Sequence, residues 1–334
     1  MKKRRLGCTG PFVSSIGIGA MSFTNFYGPT SEMNSFNILK TALDLGIDHI
    51  DTANVYGMGL SEAVIGKFLA KQGKQKQNFF KIATKAAVTK DSKTGERAFD
   101  NSRNHLEHEL GQSLQRLGLE TIEMLYIHRR DPNIPIEEVT GTLSDFVRKG
   151  KIKRFGFSEI SPSSLIRASM IHEVAAVQSE YSLSVRSPEL GLVQQTLKSG
   201  SALVAFSPVG RGLLTDSPPS TKKIKDVDFL RENPRFCEPN LSANIALIKR
   251  FQNFAAEKKT SAAALSIAWL LSRGEHIIPI PGTRSVKHLK ELASGVSLTL
   301  SNEDLQKLEE ILPVGWAHGD RYSARQWIGP ERYC

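Results

Sequence analysis

Apolar residues along the chain follow two alternating patterns. Short runs rich in β-branched and other apolar residues, bounded by glycine, proline or polar residues, are typical of buried strands. Between them lie longer segments in which apolar residues recur every three or four positions, which is typical of amphipathic helices. The predicted strands are residues 15–19, 47–51, 80–85, 122–128, 152–158, 174–179, 202–207 and 276–282. The predicted helices are residues 31–46, 59–70, 101–118, 136–148, 161–172, 188–199, 261–273 and 285–294.

The strict alternation of these strands and helices predicts an α/β fold, a (β/α)8 TIM barrel. A doubly wound sheet is the alternative, and such a sheet usually carries the GxGxxG fingerprint after its first strand. Gly17 and Gly19 form GxG, but Ser22 stands where the third glycine belongs. The sequence therefore favours the closed barrel.

A single domain is expected to span residues 1–334, because α/β barrels of this length are ordinary single domains. Residues 1–14 precede the first strand, and we expect them to form a hairpin that plugs the bottom of the barrel. Residues 208–258 form an excursion, in which a proline- and lysine-rich loop leads to an extra helix at 241–258. The remaining predicted elements are a second extra helix at 301–312 and a C-terminal tail at 313–334 that contains Trp316, Tyr322, Trp327 and Tyr333.

Composition is that of a globular protein, with 40% hydrophobic and 23% charged residues. The formal net charge of +10 raises the question of a polyanionic partner. Lysine and arginine are scattered among acidic residues, however, and no basic run outside the initial MKKRR is interleaved with aromatic residues. We therefore expect no nucleic-acid partner, and the charge instead indicates a phosphorylated small ligand or simply a basic, solvated surface.

Three widely spaced cysteines without a CxxC pair do not form a disulfide framework. No segment approaches the roughly 20 apolar residues of a membrane span. Glycines and Pro11 interrupt the uncharged stretch after Arg5 that could otherwise resemble a secretion signal. We expect a soluble cytoplasmic protein with no membrane partner, and the sequence leaves its oligomeric state open.

Polar residues end most of the predicted strands. In a (β/α)8 barrel, chemistry collects at the carboxyl ends of the strands. The residues at those ends are Asp51, Lys85, His128, Ser158, Gln178, Ser207 and the run Pro281, Gly282, Thr283 and Arg284. A polar residue follows many strands, so the complementary chemistry of these residues, rather than any one of them, predicts a site.

Asp51, Tyr56, Lys85 and His128 are the most informative combination. Asp51 and Lys85 end adjacent strands, so their charged groups can pair, and pairing would keep Lys85 protonated. A phenol with an ordinary pKa of about 10 is a weak acid at neutral pH, but a neighbouring ammonium stabilises its phenolate. Tyr56 beside Lys85 is therefore a sensible general acid, and His128 could orient a carbonyl oxygen or join the proton relay. Taken alone, Asp51 would be interpreted as a helix cap or turn residue, Tyr56 as an aromatic residue at the rim, and Lys85 as a surface lysine.

The motifs DTANVYG, IATK, LYIHRRDP, GFSEIS, VQSEYSL, AFSPVGRGLL and IPIPGTRSVKHLKE resemble those of the aldo-keto reductases, in the same order. The resemblance extends from about residue 3 to residue 312. It is strongest to the branch with IPGTR near the carboxyl end, which includes pyridoxal-reductase-like and aromatic-aldehyde-reducing members. This resemblance implies a (β/α)8 enzyme that reduces aldehydes or ketones with NADPH, bound extended across the barrel mouth.

The resemblance also implies roles for individual residues. Tyr56 would be the general acid, tuned by Lys85 and Asp51, and His128 would orient the carbonyl group. The positions that match cofactor-binding residues of the family are Gly19, Met21, Ser158, Gln178, Phe206, Ser207, Pro208, Val209, Arg211, Gly212, Gly282, Thr283, Arg284, His288 and Glu291. No metal is expected.

Within that set, the resemblance divides the cofactor among segments. Ser158 and Gln178 would bind the nicotinamide carboxamide, and Phe206 would stack on the nicotinamide ring. Backbone N–H groups of residues 207–212 would line the pyrophosphate. Residues 282–284, which open a helix, would bind the adenosine 2′-phosphate, since a helix N-terminus with a guanidinium group is a good phosphate site. This arrangement favours NADP over NAD.

Three positions depart from the family pattern. Glu159 stands where many members have an asparagine that contacts the carboxamide, although this branch often has glutamate. Leu292 stands where an asparagine commonly binds the adenine. Ser184 stands where this branch often has tryptophan, which would open the substrate or cofactor pocket. The physiological substrate and the preferred direction of the reaction are therefore not predicted.

The sequence also allows two alternative functions and two alternative sites. A nucleotide-sensing subunit similar to the potassium-channel β subunits would bind NADP(H) with little turnover, and a barrel aldolase or isomerase would use Lys85 as a Schiff-base amine. His105 and His108 lie one helical turn apart, but no third metal ligand follows at suitable spacing, so a surface helix is expected. Arg129 and Arg130 could bind an anionic substrate, but salt bridges or an HRxDP-like turn are favoured.

Overall fold

A computed structural model describes residues 1–73, 78–91 and 93–332, and within these ranges eight parallel strands form the central sheet. The strands are β1 Lys3–Arg5, β2 Phe12–Ser14, β3 Ile18–Gly19, β4 His49–Asp51, β5 Lys81–Ala86, β6 Val88–Lys90, β7 Arg97–Phe99, β8 Ile122–Ile127, β9 Ile152–Ser158, β10 Ala176–Glu180, β11 Ala202–Phe206 and β12 Ile277–Pro279. The order in the central sheet is β12-β11-β10-β9-β8-β5-β4-β3.

The helices surround this sheet. They are α1 Glu32–Leu45, α2 Leu60–Ala70, α3 Arg103–Leu117, α4 Ile136–Arg148, α5 Pro162–Ser169, α6 Leu192–Ser199, α7 Thr221–Asp226, α8 Asp228–Arg231, α9 Asn240–Glu257, α10 Ala262–Ser272, α11 Val286–Ser294 and α12 Asn302–Ile311. Ser31 caps α1 by accepting a hydrogen bond from the Asn34 N–H, and Gly46 ends this helix in the left-handed region at φ 72°. Both signals were readable from the sequence.

Hydrogen bonds between the first and last strands close the sheet into a barrel. The N–H groups of Gly17 and Gly19 donate to the carbonyls of Pro279 and Pro281, at 2.8 and 2.9 Å. A Cβ on Gly19 would lie 2.7 Å from the carbonyl oxygen of Ile280, so the closure at this point requires glycine. The predicted (β/α)8 barrel is confirmed.

The N-terminal hairpin β1–β2 packs against the bottom of the barrel. Leu6 and Val13 are fully buried in one cluster with interior side chains such as Met124 and Val204. Arg4 donates to the carbonyls of Gly274, Leu271 and Ile277 around the start of β12. This hairpin lies where the sequence predicted a plug.

Some predicted elements differ in the structure. The strand predicted at 276–282 ends at Pro279; the Ile280 N–H still donates to the Ala205 carbonyl, but Pro281 has no N–H with which to extend the ladder. The helix predicted at 188–199 begins only at Leu192, since Gly191 at φ 131° separates it from a 3₁₀ turn. In the excursion, the extra helix predicted at 241–258 is present as α9, but the segment predicted as a loop before it contains the short helices α7 and α8.

The antiparallel pair β6–β7 was not predicted, and it follows β5 at the mouth of the barrel. Lys90 and Arg97 are register partners in this hairpin. The predicted aromatic tail is described as far as residue 332, so Tyr333 lies outside the described residues. No helix among the described residues is long and apolar enough to cross a membrane.

Candidate active site

The carboxyl ends of β4 and β5 bring a buried charge pair to the barrel mouth. Asp51 ends β4 and is 2% exposed, and Lys85 in the neighbouring β5 is fully buried. The Lys85 ammonium donates to Asp51 Oδ1, to the Thr52 carbonyl at 2.8 Å and to the Tyr56 hydroxyl at 3.3 Å. These contacts bring together three of the four residues predicted to be catalytic.

The segment after β4 stays attached to β5, which holds Tyr56 near Lys85. The N–H groups of Thr52 and Asn54 donate to the carbonyls of Ala83 and Lys85, at 2.8 and 3.1 Å. The chain then turns, so that the Tyr56 N–H donates to the Ala53 carbonyl. The parallel pairing of the two strands therefore continues into the site.

Burial acts to lower the pKa of Lys85, but several contacts oppose it. The negative charge of Asp51, the nearby Tyr56 and the hydrogen bonds to both groups raise the pKa, and the net direction is upward from the ordinary value. Lys85 is thus a fixed cation at neutral pH. A fixed cation beside a phenol stabilises the phenolate, which is the condition for a tyrosine to act as an acid.

His128, which directly follows β8, faces Tyr56. The two rings are 5.8 Å apart between centroids and nearly perpendicular, at 82°. Burial, together with the positive charges of Arg129, Lys85 and Arg97, holds the pKa of His128 well below its ordinary value. The imidazole is therefore neutral at physiological pH. Its Nδ1 is buried and has no hydrogen-bond partner among the residues that the structure describes.

Ser158 and Gln178 already have protein partners. Gln178 Nε2 donates to Asp51 Oδ2 at 2.7 Å, so it orients the carboxylate from the side opposite Lys85. The Ser158 hydroxyl accepts a hydrogen bond from Arg129 Nη1 at 2.9 Å. Both side chains keep further hydrogen-bonding capacity, namely the amide oxygen of Gln178 and the hydroxyl proton of Ser158.

A large cavity of about 1800 Å³ opens above these residues at the barrel mouth. Its lining includes Asp51, Tyr56 and His128, and also every residue predicted to bind the cofactor: Gly19, Met21, Ser158, Gln178, Phe206, Ser207, Pro208, Val209, Arg211, Gly212, Gly282, Thr283, Arg284, His288 and Glu291. Lys85 lies beneath this lining. A cavity of this volume exceeds the roughly 300–1,000 Å³ of a typical small-molecule pocket, so it has room for more than one small molecule.

The segment after β11 forms one wall of the cavity, but two of its N–H groups are already bonded. The N–H groups of Gly210 and Gly212 donate to the carbonyls of Ser207 and Val209 at 2.9 and 3.0 Å. These two N–H groups are therefore not free to bind a ligand, and of the two glycines only Gly212 lines the cavity. The side chain of Arg211 is 3% exposed and pairs with Glu180 at 2.7 Å. Its guanidinium is thus committed to the protein.

Cations without acidic partners lie at the β12 end of the cavity. Arg284, just before α11, donates to the Pro29 carbonyl at 2.9 Å, and Lys223 of α7 lines the same region. Burial lowers the pKa of both residues, and Arg284 lowers that of Lys223 further. Among the described residues neither has an ion-pair partner. This cationic end, next to the N-terminus of α11, fits a phosphate group.

Sequence reasoning missed a buried ionic cluster that joins the tail to the barrel. Arg321 pairs with Glu159 at 2.5 Å and lies 3.5 Å from Glu180, which also pairs with Arg211. Glu159 thus faces the tail and is absent from the cavity lining. Burial acts to raise the pKa of Glu159, but Arg321, Arg129 and the Glu180 N–H together lower it below its ordinary value. Only Glu159 carried a signal, as a departure from the family pattern.

The other residues singled out in the sequence have simpler surroundings. Leu292 lines the cavity, whereas Ser184 is buried against Ser182 and does not line it. Arg130 pairs with Glu331 at 2.6 Å, as the salt-bridge interpretation predicted. The structure contains no group of three or more potential metal ligands among its described residues, which include His105 and His108.

Comparison with known families identifies the chain. The model of the aldo/keto reductase family matches residues 15–313. The chain belongs to this family. Carbonyl compounds are the substrates expected of an aldo/keto reductase, so the protein is an oxidoreductase. The resemblance read from the sequence motifs is confirmed at the level of the family.

Related aldo/keto reductases cover nearly the whole chain. The aldo-keto reductase yakc of Schizosaccharomyces pombe, whose name specifies NADP(+), is 35% identical over 313 residues, which are 93% of this chain and 92% of the relative. The probable aldo-keto reductase 1 of Glycine max is 34% identical over 319 residues, which are 95% of this chain and 91% of the relative.

Solved structures of this family share the fold of the whole chain. A glycerol dehydrogenase from Gluconobacter oxydans has a TM-score of 0.81 at 26% identity, and the match covers 99% of both chains. A thermostable aldo-keto reductase in complex with the inhibitor epalrestat has a TM-score of 0.73 at 26% identity, with 93% of this chain and 100% of that chain covered.

Proposed function

We propose that this aldo/keto reductase reduces aldehydes or ketones to alcohols with NADPH, and that Tyr56 is the general acid. The observation that carries the proposal is the buried contact of Lys85 with both Asp51 and the Tyr56 hydroxyl. This contact lies beside the neutral imidazole of His128, at a cavity whose β12 end carries two cations without ion-pair partners among the described residues, Lys223 and Arg284. The narrower prediction of an IPGTR-type branch guides the choice of pyridoxal and aromatic aldehydes as substrates.

In the proposed mechanism the protein supplies a proton and holds the carbonyl group. Tyr56 donates its phenolic proton to the carbonyl oxygen, and Lys85 stabilises the phenolate that remains. Asp51, held by Gln178, keeps Lys85 charged and in position. The neutral imidazole of His128 donates a hydrogen bond that orients the same oxygen.

NADPH, when bound, supplies the hydride. The residues that would hold it are those predicted from the sequence and found in the cavity lining. Ser158 and Gln178 would bind the carboxamide with their remaining hydrogen-bonding groups, and Phe206 would pack against the ring. Arg284 and the N-terminus of α11 would bind the 2′-phosphate. The cations at that end have no acidic partners among the described residues, and this supports NADP rather than NAD.

The two alternative functions predict different behaviour. A nucleotide-sensing subunit need not keep a lysine, an aspartate and a tyrosine in contact, so the intact contact supports an enzyme. A Schiff-base enzyme needs a neutral amine, whereas the paired ammonium of Lys85 has a raised pKa. Carbonyl reduction therefore fits the site better than either alternative.

Turnover with a panel of aldehydes tests the proposed function. We expect the wild-type protein to oxidise NADPH, followed at 340 nm, in the presence of pyridoxal or nitrobenzaldehydes, with one alcohol formed per NADPH consumed. Tight binding of NADPH without turnover of any carbonyl compound would favour the sensor. Covalent trapping of a carbonyl substrate on Lys85 by borohydride would favour the Schiff-base enzyme.

Replacing Arg284 by alanine should weaken NADPH binding far more than NADH binding. Charge-assisted hydrogen bonds are worth about 1.5–3 kcal/mol, so the Kd for NADPH should rise about 10- to 150-fold. Fluorescence titration of both nucleotides measures this difference. Lys290 provides the control variant Lys290→Ala. It is an exposed cation of α11, the helix that follows Arg284, and it does not line the cavity. Equal weakening of both nucleotides would contradict the role in 2′-phosphate binding.

A further inference from the structure

A second group of cations lies on the opposite side of the barrel from Arg284. Arg129 directly follows His128 at the end of β8, and Arg97 belongs to the β6–β7 hairpin that rises from the end of β5. In the closed ring, three strands separate β8 from β12 in either direction. Both arginines line the same cavity as Tyr56 and His128. The cavity therefore has a cationic region at its reactive side as well as at its β12 end.

Arg129 is buried, but only some of the N–H groups of its guanidinium have hydrogen-bond partners among the described residues. The residue is 8% exposed, and its Nη1 donates to the His128 carbonyl at 2.6 Å and to the Ser158 hydroxyl at 2.9 Å. Its Nε is buried and has no hydrogen-bond partner among the described residues. No carboxylate among them forms an ion pair with this guanidinium. Glu159 is near enough for the charge of Arg129 to lower its pKa, but that carboxylate pairs with Arg321. A buried guanidinium without an ion-pair partner of its own is costly to maintain unless a ligand compensates it.

Arg97 lies at the rim of the cavity, where its side chain is partly exposed. Its guanidinium lies 5.2 Å from the centroid of the Phe99 ring, which orients it, and no acid among the described residues pairs with it. Glu96 also lines the cavity but forms no ion pair with Arg97. Burial and the nearby Arg129 lower the pKa of Arg97 to about 10. The two arginines thus repel each other, and Arg97 stays charged at neutral pH.

These cations are close to the reactive groups. After burial, the charges of Arg129, Lys85 and Arg97 are what lowers the pKa of His128. The tail completes the enclosure, because Gly329 approaches both Phe99 and Arg129 so closely that a Cβ there would lie 2.6 Å from the Phe99 ring and 3.1 Å from Arg129 Cγ. Ile328 beside it lines the cavity. A molecule whose carbonyl oxygen lies between Tyr56 and His128 would therefore share this cavity with Arg97 and Arg129.

We propose that the enzyme prefers carbonyl substrates that carry an anionic group, a carboxylate or a phosphate, and that Arg97 and Arg129 recognise this group. A guanidinium fork pairs well with either anion. The proposal deepens the proposed function, on which it rests, by naming its substrate class. In the proposed function the cofactor's 2′-phosphate would compensate the cations at the β12 end, but it leaves those at the β8 end without an ion-pair partner among the described residues. The anionic group is unchanged by the reaction, since the hydride and the proton add across the carbonyl bond.

Matched substrates test this preference. For 4-formylbenzoate against its methyl ester, and for pyridoxal 5′-phosphate against pyridoxal, we expect the wild-type enzyme to show at least a tenfold higher kcat/KM for the anionic member of one pair or of both. The pair that shows the difference identifies the anion as carboxylate or phosphate. The advantage should reside mainly in KM and should fall as salt is raised, because salt screens partly exposed charges. Equal kcat/KM for both members of both pairs would overturn the proposal.

Arg97→Gln removes the charge while keeping a polar side chain of similar length. We expect it to reduce the preference for the anionic member by at least tenfold, and we expect Arg97→Lys to restore part of that preference. Lys90→Gln is the matched control, because Lys90 is the register partner of Arg97 in the same hairpin but does not line the cavity. If Lys90→Gln reduces the preference as much as Arg97→Gln, or if Arg97→Gln lowers both substrates equally, the specific role of Arg97 is wrong.

A binding measurement separates this proposal from the proposed function. Benzoate and benzyl alcohol are titrated calorimetrically into the NADP-loaded protein, which requires no turnover. We expect benzoate to bind at least tenfold more tightly than benzyl alcohol, and Arg97→Gln to remove this difference. Failure of carbonyl turnover with retained benzoate selectivity would overturn the proposed function alone. Turnover of neutral aldehydes, with neither benzoate selectivity nor a preference for the anionic member of either substrate pair, would overturn the anionic preference alone.

Discussion

Replacing Tyr56 by phenylalanine should lower kcat for aldehyde reduction by about 10²–10⁴-fold, the usual contribution of a positioned general acid. The Tyr56 hydroxyl is 3.3 Å from the Lys85 ammonium, which is fully buried and paired with Asp51. Phenylalanine keeps the ring that faces His128 and removes only the proton donor. The loss should therefore appear in kcat, whereas the Kd for NADPH should change little. Steady-state kinetics at saturating NADPH and nucleotide fluorescence measure the two quantities.

Tyr27 provides the matched control, because it lines the same cavity without contacting Lys85. Burial is the main cause that raises the pKa of Tyr27, to about 12, so this phenol is a poorer acid than an ordinary tyrosine. Tyr27→Phe should cost far less activity than Tyr56→Phe. If Tyr56→Phe keeps more than about a tenth of the wild-type kcat, or if both variants lose the same amount, the assignment of Tyr56 is wrong.

Replacing Arg321 by leucine should destabilise the protein by about 3–5 kcal/mol, the usual cost of removing one partner of a buried ion pair. Arg321 is 7% exposed and pairs with Glu159, which is 2% exposed, and it also lies near the fully buried Glu180. Without Arg321, Glu159 keeps hydrogen bonds from the Ser179 hydroxyl and the Glu180 N–H but loses its main counter-charge. Urea unfolding followed by tryptophan fluorescence measures the loss.

Arg325 in the same tail gives a matched control. It pairs with Glu232 at 2.8 Å, but its side chain is 77% exposed. Exposed pairs contribute about 0–1 kcal/mol, so Arg325→Leu should leave the unfolding midpoint nearly unchanged. Equal effects of the two substitutions would show that the tail is held by something other than the buried cluster.

The effect of Arg321→Leu should also depend on pH. In the wild-type protein burial acts to raise the pKa of Glu159, but Arg321, with smaller contributions from Arg129 and the Glu180 N–H, depresses it below its unfolded value. This pair therefore stabilises the fold at neutral pH, and that contribution is lost as the pH falls through the folded pKa. In the Arg321→Leu variant, less positive charge offsets the cost of burying the Glu159 carboxylate. Protonation of Glu159 then removes an unfavourable buried charge. The difference in stability between the two proteins should shrink between about pH 7 and about pH 4.

Much of the site was predictable because it follows from strand order. Asp51 and Lys85 were recognisable as partners since consecutive parallel strands are neighbours, and their carboxyl ends meet at the same edge. The cofactor residues were implied by the resemblance to the family, and the cavity contains every one of them. What could not be predicted is the partner of each side chain. Arg211 was expected to line a pyrophosphate site, and it does line the cavity, but its guanidinium pairs with Glu180.

The alternation of apolar patterns determined by itself the barrel, the hairpin beneath it and the end of the barrel where chemistry collects, because these depend on local periodicity and on neighbouring strands. Only the tertiary structure decided what encloses the site. The β6–β7 hairpin, the tail at Arg321 and the pair of Arg97 with Arg129 bring together residues far apart in the chain, and no local pattern records such contacts. At the barrel mouth, burial rather than residue type determines which charged side chains pair within the protein and which remain able to bind a ligand.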